Sequence, residues 1–409
     1  MNYIKLKKRN LSVENISAIS LVKKYKTPFY CYSLSQIKNN FYAFNKAFRN
    51  IKPMVCFSVK SNSNINVLRE LKKIGSGADV VSSGELLKSI KAGINVKKIV
   101  FSGVGKTEDE IKLAIKKKVL LINMESENEA ILINKISNKM NIKTSVGIRL
   151  NPNIIGKTHK KISTGGKHDK FGLSYKDCID FCKKINSFKN LKLDGLSVHI
   201  GSQITSIKPF QQVLGVLDKL IKETNINFKF IDLGGGMGIS YDKKEKKLNL
   251  NKYSQLVFKF VKNKKTQIIF EPGRFIIGNS SILISKIIYI KKSNNKIFVI
   301  LDAGMNDLMR PALYDAHHKI IPLKKSKKKI IGNIEFVGPI CESSDKFLNQ
   351  KNFSKVEEGD YVAITDVGAY GISLSSNYNT RPIIAEVMVN RNKHKLIKKR
   401  QSLENLINN

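Results

Sequence analysis

The segment Pro53-Met54-Val55-Cys56-Phe57-Ser58-Val59-Lys60-Ser61-Asn62 begins the series of apolar runs that decides the fold. A short run rich in β-branched and aromatic residues predicts a buried strand, and the amphipathic stretch that follows predicts a helix. The alternation continues to Gly273 and predicts eight strands: Met54–Val59, Ala78–Ser82, Ile99–Ser102, Leu120–Met124, Thr144–Leu150, Leu193–His199, Phe228–Leu233 and Gln267–Glu271. Helical patterns fill the intervals, among them Ser83–Ala92, Thr107–Lys116, Ser126–Ser137 and Pro209–Glu223. Eight alternating units indicate an α/β protein with a (β/α)8 TIM-type barrel.

The pattern changes from about Ser280 onward, where strands follow one another without long helices. The predicted strands are Ile282–Ile290, Lys296–Leu301, Lys329–Val337, Asp360–Ile364 and Pro382–Val389. Near the amino terminus we predict a helix over Val13–Lys24 and a strand over Phe29–Tyr32 that can join this second sheet. We therefore expect a barrel domain over residues 34–279 and an all-β domain, sandwich-like or barrel-like, from residues 1–33 and 280–409.

The composition is that of a globular protein, with 42% hydrophobic and 26% charged residues. Lys and Arg number 73 against 32 Asp and Glu, which gives a formal net charge of +41. Such a charge attracts polyanions. The basic residues are spread along the whole chain, however, and no helix-turn-helix, RNA-recognition or zinc-finger pattern accompanies them. We expect a solvated, lysine-rich surface and no nucleic-acid partner.

Cysteine usage and hydropathy indicate the cellular compartment. The chain has five cysteines, an odd number without a compact framework, which favours a reducing environment. Cys178 and Cys182 have helical spacing, but no further ligand lies at metal-site spacing, so no metal is expected. No run of about 18 apolar residues occurs. We expect a cytoplasmic protein without a membrane partner.

Polar and glycine-rich residues occupy the carboxyl ends of the predicted strands. Barrel enzymes build their active sites at this end, because the loops that follow the strands converge there. The residues concerned are Lys60, Asp79, Ser102, Arg149, His199, Gly234 to Gly236, Glu271 and Arg274. Their common position at one rim predicts an active site there.

The loops after the last two strands predict a phosphate site. Gly234-Gly235-Gly236-Met237-Gly238 offers backbone amides that can surround an anion, and Glu271-Pro272-Gly273-Arg274 adds a guanidinium. The cluster does not match the dinucleotide motif G-x-G-x-x-G. Gly103-Val104-Gly105-Lys106-Thr107 resembles the end of a nucleotide-binding loop, but the required earlier glycine is Val100. We interpret Thr107 and Glu110 as a helix capping box instead.

Lys60 stands at the end of the first strand, an unusual position for a lysine that only increases solubility. A partly dry barrel mouth favours the neutral amine, which can form a Schiff base with an aldehyde. Lys60 is therefore a candidate catalytic residue.

At these residues the sequence resembles the fold-type III pyridoxal-phosphate-dependent decarboxylases. The resemblance covers nearly the whole chain and includes 57–62, 75–85, 101–107, 170–172, 199–203, 234–236, 271–274, 338–345 and 368–371. It implies that pyridoxal 5'-phosphate is the cofactor and that Lys60 forms the Schiff base. The other implied cofactor-binding residues are Asp79, His199, Ser202, Gly235, Gly236, Glu271, Gly273, Arg274 and Tyr370.

Glu271 has a physical rationale of its own within this resemblance. A carboxyl group beside the pyridine nitrogen keeps that nitrogen protonated, so the ring can accept the electron pair left when CO2 departs. Barrel racemases of the same fold type have an arginine at this point. Glu271 therefore favours decarboxylation over racemisation.

The resemblance also implies a head-to-tail homodimer with shared active sites. Cys341 would come from the second subunit and protonate the carbanion, and Glu342 would bind the far ammonium of the substrate. A guanidinium binds a carboxylate bidentately. Arg274, Arg310 and Tyr314 match the residues that bind the substrate's far carboxylate, and Tyr370 matches a residue that contacts both cofactor and substrate.

The expected reaction is the decarboxylation of meso-diaminopimelate to L-lysine and CO2, the last step of lysine biosynthesis. Ornithine, arginine or carboxynorspermidine are alternative substrates on the same scaffold, but they do not present the same amino-acid end to Arg310 and Glu342. A cofactor-carrying protein without catalytic activity is a further alternative, against which the second domain with Cys341 argues. A charge-driven nucleic-acid-binding protein is the third.

Overall fold

The computed structural model describes residues 3–156, 162, 164–242, 245 and 247–408. The chain divides into two units. Residues 41–239 and 246–275 form the first, the barrel unit, and residues 1–40, 240–245 and 276–409 form the second, the sheet unit.

Strands and helices have the following bounds in the described residues. The strands are β1 (Ile4–Lys7), β2 (Asn10–Val13), β3 (Ile16–Ser17), β4 (Phe29–Ser33), β5 (Met54–Ser58), β6 (Gly77–Val80), β7 (Ile99–Phe101), β8 (Leu121–Met124), β9 (Thr144–Leu150), β10 (Leu191–Val198), β11 (Phe230–Asp232), β12 (Gln267–Phe270), β13 (Ser281–Ser293), β14 (Lys296–Leu301), β15 (Ile320–Pro322), β16 (Lys329–Val337), β17 (Lys346–Ser354), β18 (Tyr361–Thr365), β19 (Ala385–Asn390) and β20 (Lys393–Lys398). The α-helices are α1 (Ala18–Tyr25), α2 (Leu34–Ala47), α3 (Ile65–Lys73), α4 (Ser83–Lys91), α5 (Glu108–Lys117), α6 (Glu127–Lys139), α7 (Tyr175–Lys184), α8 (Lys208–Thr224), α9 (Leu250–Val261), α10 (Arg274–Ile277), α11 (Arg310–Tyr314) and α12 (Leu403–Ile407).

Strands β5 to β12 form a closed parallel barrel in the order β10-β11-β12-β5-β6-β7-β8-β9. The barrel closes between its last and first strands, where Ile269 pairs with Met54 and Phe270 with Val55. Each of the eight strands overlaps one of the eight runs predicted from the sequence. The expected fold class, a (β/α)8 barrel with a second, mainly β unit, is confirmed.

Two glycines inside the barrel make room for larger side chains. A Cβ atom on Gly147 would overlap the amide oxygen of Asn123, and one on Gly195 would lie 2.7 Å from the side chain of Leu121. Gly147, on the neighbouring strand β9, therefore lets the polar side chain of Asn123 from β8 lie inside the barrel, and Gly195 leaves room for Leu121. Asn123 is fully buried there.

The barrel helices begin and end where local chemistry predicts. Thr107 caps α5, and Glu110 completes the predicted capping box. Lysines follow in the last turn of α5, where they interact favourably with the negative end of the helix dipole. No helix in the described part of the chain has both the length and the apolar character needed to cross a membrane.

The sheet unit is built around the long strand β13, which pairs with β4, β14 and β18. Its main sheet has nine strands, and β1 to β3 form a separate small sheet. Phe29, Ile282, Ile284 and Val387 belong to its buried core. As expected, the strand that begins at Phe29 joins this sheet.

The sheet unit differs from the sequence prediction in its first helix and in six of its strands. The first helix begins at Ala18, not at Val13, because the residues before it form β2 and β3. The strands β1, β2, β3, β15, β17 and β20 were not predicted. Of these, β17 and β20 are rich in Lys, and few of their residues are buried, so the alternation of apolar and polar residues is weak.

Candidate active site

The barrel unit brings its predicted site residues to the carboxyl ends of the strands. Lys60 lies in a short 3₁₀ turn after β5, Asp79 lies within β6, and His199 follows β10 directly. Glu271 follows β12. Since the eight strands are parallel, these ends face the same side of the barrel.

Lys60 is fixed by a buried carboxylate. Its Nζ lies 3.0 Å from Oδ2 of Asp79, and 34% of the Lys60 side chain is exposed while none of Asp79 is. The hydroxyl of Ser58 donates to the same oxygen over 2.7 Å. The other carboxylate oxygen, Oδ1, is buried without a hydrogen-bond partner in the described residues. The amine is therefore held at the mouth of the barrel and remains accessible.

A pair of carboxyl groups, Glu271 and Asp232, lies beneath this mouth. Both are buried, and a hydrogen bond joins them. Asp232 also accepts from Nδ2 of Asn123 at 3.0 Å and from the amide of Gly234 at 2.9 Å. Burial raises the pKa of Asp232, and it raises the pKa of Glu271 well above its usual range, an effect that the carboxylates of Asp232 and Asp79 increase.

His199 presents a neutral imidazole. Its Nδ1 accepts a hydrogen bond from the amide of Gly235 at 3.2 Å, so that nitrogen carries no proton. Burial lowers the pKa of His199 well below its usual value, and the nearby cations Lys60 and Arg149 lower it further. The ring is thus an uncharged aromatic surface at the rim.

Gly234, Gly235 and Gly236 form a tight glycine loop, the cradle, after β11, in which the amides of Gly234 and Gly235 donate to Asp232 and His199. Gly234 and Gly236 have φ values of +62° and +87°, which favour glycine. A Cβ atom on Gly235 would overlap the carbonyl oxygen of Glu271. The conformation of this loop therefore requires glycine, because a side chain at Gly235 would not fit.

Arg274 and Ser202 meet at this end of the barrel. Nη2 and Nε of Arg274 donate to Oγ of Ser202 at 2.9 and 3.3 Å. Arg274 is the first residue of α10 and is 6% exposed. Gly273 before it packs against Ser61 and Ser58, since a Cβ there would lie 2.9 Å from the Ser61 side chain. These hydroxyl, amide and guanidinium donors suit an anion.

Lys106, in the segment that resembles a nucleotide-binding loop, has a structural role. Its Nζ contacts the carbonyl oxygens of Gly103 and Asn123 at 2.6 and 2.7 Å and Oε1 of Glu129 at 2.6 Å. Only 1% of its side chain is exposed. This lysine ties loops of the barrel together, in agreement with the capping-box interpretation of Thr107.

The other predicted site residues lie in the sheet unit. Arg310 and Tyr314 begin and end the short helix α11. Nη1 of Arg310 lies 2.7 Å from Nε2 of His318, and its guanidinium carbon lies 5.0 Å from the centre of the Tyr241 ring. Arg310 is 5% exposed.

Cys341 and Glu342 form an exposed pair in the same unit. Among the five free cysteines, Cys341 alone is exposed. Its amide donates to Oδ1 of Asn379 at 3.2 Å, and Oε1 of Glu342 accepts from Ser344 at 2.7 Å. Tyr370 lies after β18 with φ at +56°. The predicted site residues thus form one group in each unit.

Several site residues were missed by sequence reasoning. Asp232 and Asn123 lie inside apolar strands, where a buried polar residue is itself a signal, and Asp232 stands two residues before the glycine cluster. Tyr241 and His318 carry no local motif. Their contact with each other, at 5.3 Å between ring centres, joins residues far apart in the chain.

Comparison with known proteins agrees with this architecture. The family model described as "Pyridoxal-dependent decarboxylase, pyridoxal binding domain" matches residues 34–278. The diaminopimelate decarboxylase of Helicobacter pylori (strain J99) is 42% identical, covering 94% of this chain and 96% of that protein. The enzyme of the same name from Aquifex aeolicus is 38% identical over 99% and 96% of the two chains.

A solved structure gives the same result. The crystal structure of diaminopimelate decarboxylase from M. jannaschii in complex with L-lysine superimposes with a TM-score of 0.93 at 36% identity, covering 99% of this chain and 96% of that one. The chain therefore belongs to the fold-type III pyridoxal-dependent decarboxylases and, within them, to the diaminopimelate decarboxylase family. The cofactor of this family is pyridoxal phosphate.

Proposed function

We propose that the chain decarboxylates meso-diaminopimelate to L-lysine and CO2 with pyridoxal 5'-phosphate. The observation that carries this proposal is the arrangement at the barrel mouth, where the accessible amine of Lys60 and the buried carboxyl of Glu271 follow adjacent strands. The names of relatives about 40% identical over nearly the whole chain support the choice of substrate.

The residues of the barrel mouth fit the cofactor. The cradle of Gly235 and Gly236, with Gly273, would leave space for a phosphate dianion, and the Ser202 hydroxyl and the Arg274 guanidinium would donate to it. The neutral ring of His199 offers an apolar face for a planar heterocycle. When bound, pyridoxal phosphate supplies an aldehyde that takes up an amine and a conjugated ring that accepts electrons.

Lys60, Asp79 and Glu271 have separate roles at the barrel mouth. Lys60 would hold the cofactor through its aldehyde, and Asp79 keeps Nζ of Lys60 in place over 3.0 Å. Glu271 would face the ring nitrogen and keep a proton there. Burial raises the pKa of Glu271, which favours keeping a proton between this carboxyl and the ring nitrogen of the bound cofactor.

Residues of the sheet unit, together with Arg274 of the barrel unit, would act on the substrate. Arg310, Tyr314 and Arg274 would bind the far carboxylate, and Glu342 would bind the far ammonium. Tyr370 would contact cofactor and substrate. The bound cofactor would accept the electron pair left when the α-carboxylate departs as CO2, and the Cys341 thiol would deliver the proton that takes the place of that carboxylate at Cα.

Two copies of the chain share each active site in this proposal. The exposure of Cys341, beside Glu342, supports it, because both side chains are available to a second copy. Five free cysteines, four of them buried, support a reducing compartment such as the cytoplasm.

A parallel substrate assay tests the function. Purified protein with added pyridoxal phosphate is offered meso-diaminopimelate, ornithine and arginine, and released CO2 is measured. We expect release from meso-diaminopimelate at least about tenfold faster than from the other two, because only this substrate presents a second carboxylate to Arg310. Lys60→Ala is the inactive control, and Lys72→Ala, on the exposed side of α3, is the matched active control. Faster release from ornithine or arginine would contradict the substrate choice, and no release from any of the three would contradict the enzyme class.

A further inference from the structure

The guanidinium of Arg310 is held by two aromatic side chains of the sheet unit that no function proposed above uses. His318 contacts its Nη1 at 2.7 Å, and the ring of Tyr241 lies 5.0 Å from its central carbon. The two rings touch each other edge to face, at 5.3 Å and 82°. His318 is fully buried.

The hydrogen bonds of His318 define its protonation state. Its Nδ1 lies 2.9 Å from the carbonyl oxygen of Thr365, the last residue of β18. A carbonyl oxygen only accepts, so Nδ1 carries the ring proton. A guanidinium only donates, so Nε2 accepts from Arg310 and carries no proton. The ring is neutral, and the structure leaves it a single tautomer.

We propose that His318 is a positioning residue that, as its neutral Nδ1–H tautomer, orients Arg310 for the far carboxylate of the substrate. This inference rests on the proposed function, in which Arg310 binds that carboxylate. The orientation is transmitted from the backbone of β18 through two hydrogen bonds to the guanidinium.

Tyr241 complements His318. The hydrogen bond to His318 fixes one edge of the planar guanidinium, and the Tyr241 ring covers one of its faces. A carboxylate binds both nitrogens of an arginine only when the guanidinium plane is fixed relative to it. A neutral imidazole also avoids placing a second cation against Arg310. The two rings should therefore determine affinity for substrates with a far carboxylate, and should leave the chemistry at Cα unaffected.

Two substitutions of His318 separate orientation from general damage. His318→Gln places an amide oxygen near the position of Nε2 and keeps an acceptor for Arg310. His318→Asn places its amide near Nδ1, so it keeps the bond to Thr365 and loses the acceptor. In the holoenzyme we expect His318→Asn to raise KM for meso-diaminopimelate about tenfold or more, the effect of losing one hydrogen bond to a charged group. His318→Gln should stay within about threefold of the native KM, and kcat should change little in both.

Inhibition by 1,5-diaminopentane is the internal control, because this diamine has no carboxylate, whereas the product L-lysine keeps the far carboxylate of the substrate. We expect the inhibition constant of the diamine to stay within about twofold of the native value in both variants, since it makes no bidentate contact with Arg310, and the inhibition constant of L-lysine to rise together with KM in His318→Asn. Tyr241→Leu should raise KM for meso-diaminopimelate in the same way, and Tyr241→Phe, which keeps the ring, should not.

Each other outcome overturns the inference. An unchanged KM in His318→Asn would show that Arg310 needs no support from the imidazole. An equal rise in KM and in the inhibition constant of 1,5-diaminopentane would indicate general damage. Native protein that releases no CO2 from meso-diaminopimelate overturns the proposed function, and the inference with it, before any variant is made.

Discussion

Glu271 and Asp232 are both buried in the barrel, away from water. Two negative charges at such a short separation are strongly unfavourable. A hydrogen bond joins the carboxyl groups, and burial raises the pKa of each. The pair therefore retains a proton to a higher pH than an isolated carboxyl does, and its protonation must be treated as a property of the pair. Asn123 and the amide of Gly234 hold Asp232 in place, so the proton stays on the side of Glu271.

Replacing Asp232 with Asn tests this pair. The charge that helps raise the pKa of Glu271 is removed, so Glu271 should lose its proton at lower pH. We expect the alkaline limb of the kcat profile to move to lower pH by roughly one pH unit. The measurement is kcat between pH 5 and 9.

Thermal unfolding of the same variant without cofactor gives an independent measurement. A carboxyl whose pKa is raised in the folded state binds its proton more tightly there than in the unfolded chain. The free energy of unfolding therefore falls as the pH rises between the ordinary and the raised pKa. Asp232→Asn should make this fall shallower. A kcat profile and a stability slope identical to those of the native protein would contradict a shared proton.

At the scale of the element, sequence patterns predicted the strands whose formation depends on their own amino-acid composition. The eight barrel strands are short apolar runs in which β-branched residues are frequent, and all were found. Strand β17, with its lysines and asparagines, has no such signal, because pairing with β16 stabilises it.

The site residues divide in the same way, into those placed by their own strand and those placed by contacts between distant segments. Lys60 and Glu271 were predicted because a strand end places them. The contacts of His318 with Tyr241 and Thr365 join distant parts of the chain, which no local pattern reveals.

The glycine cradle after β11 is an element whose function depends on having no side chains. A Cβ atom on Gly235 would overlap the carbonyl oxygen of Glu271, so Gly235→Ala must displace either the cradle or β12. We expect affinity for pyridoxal phosphate to fall at least about tenfold and stability to fall by about 1–3 kcal/mol. Equilibrium binding and thermal melting measure the two effects.

Gly215 provides the matched control. It lies in α8, and a Cβ atom there would meet nothing within 4 Å. Gly215→Ala should leave cofactor affinity unchanged and raise stability by about 0.5–1 kcal/mol, because alanine is a better helix former. If Gly235→Ala bound the cofactor as tightly as Gly215→Ala does, the cradle would not be the phosphate site.

At the scale of the whole molecule, the proposed dimer accounts for the exposure of the cysteine that we propose as the proton donor. Cys341 is open to solvent in a single chain, where water competes with it as a proton source. A dimer that places Cys341 of one copy at the barrel mouth of the other removes this competition. In such a dimer Lys60 and Cys341 of one site belong to different chains.

Mixing two inactive variants distinguishes this arrangement from sites within one chain. Lys60→Ala and Cys341→Ala subunits are unfolded and refolded together at equal concentration, so that half of the dimers contain one of each. If sites are shared, each mixed dimer has one intact site and one site that lacks both residues, and the mixture should recover about a quarter of native activity, since closed two-fold dimers have two equivalent sites. Affinity purification with two different tags verifies the mixed dimers. Verified mixed dimers with no more activity than the Cys341→Ala homodimer would show that each chain completes its own site, because in that case every site carries at least one of the two substitutions.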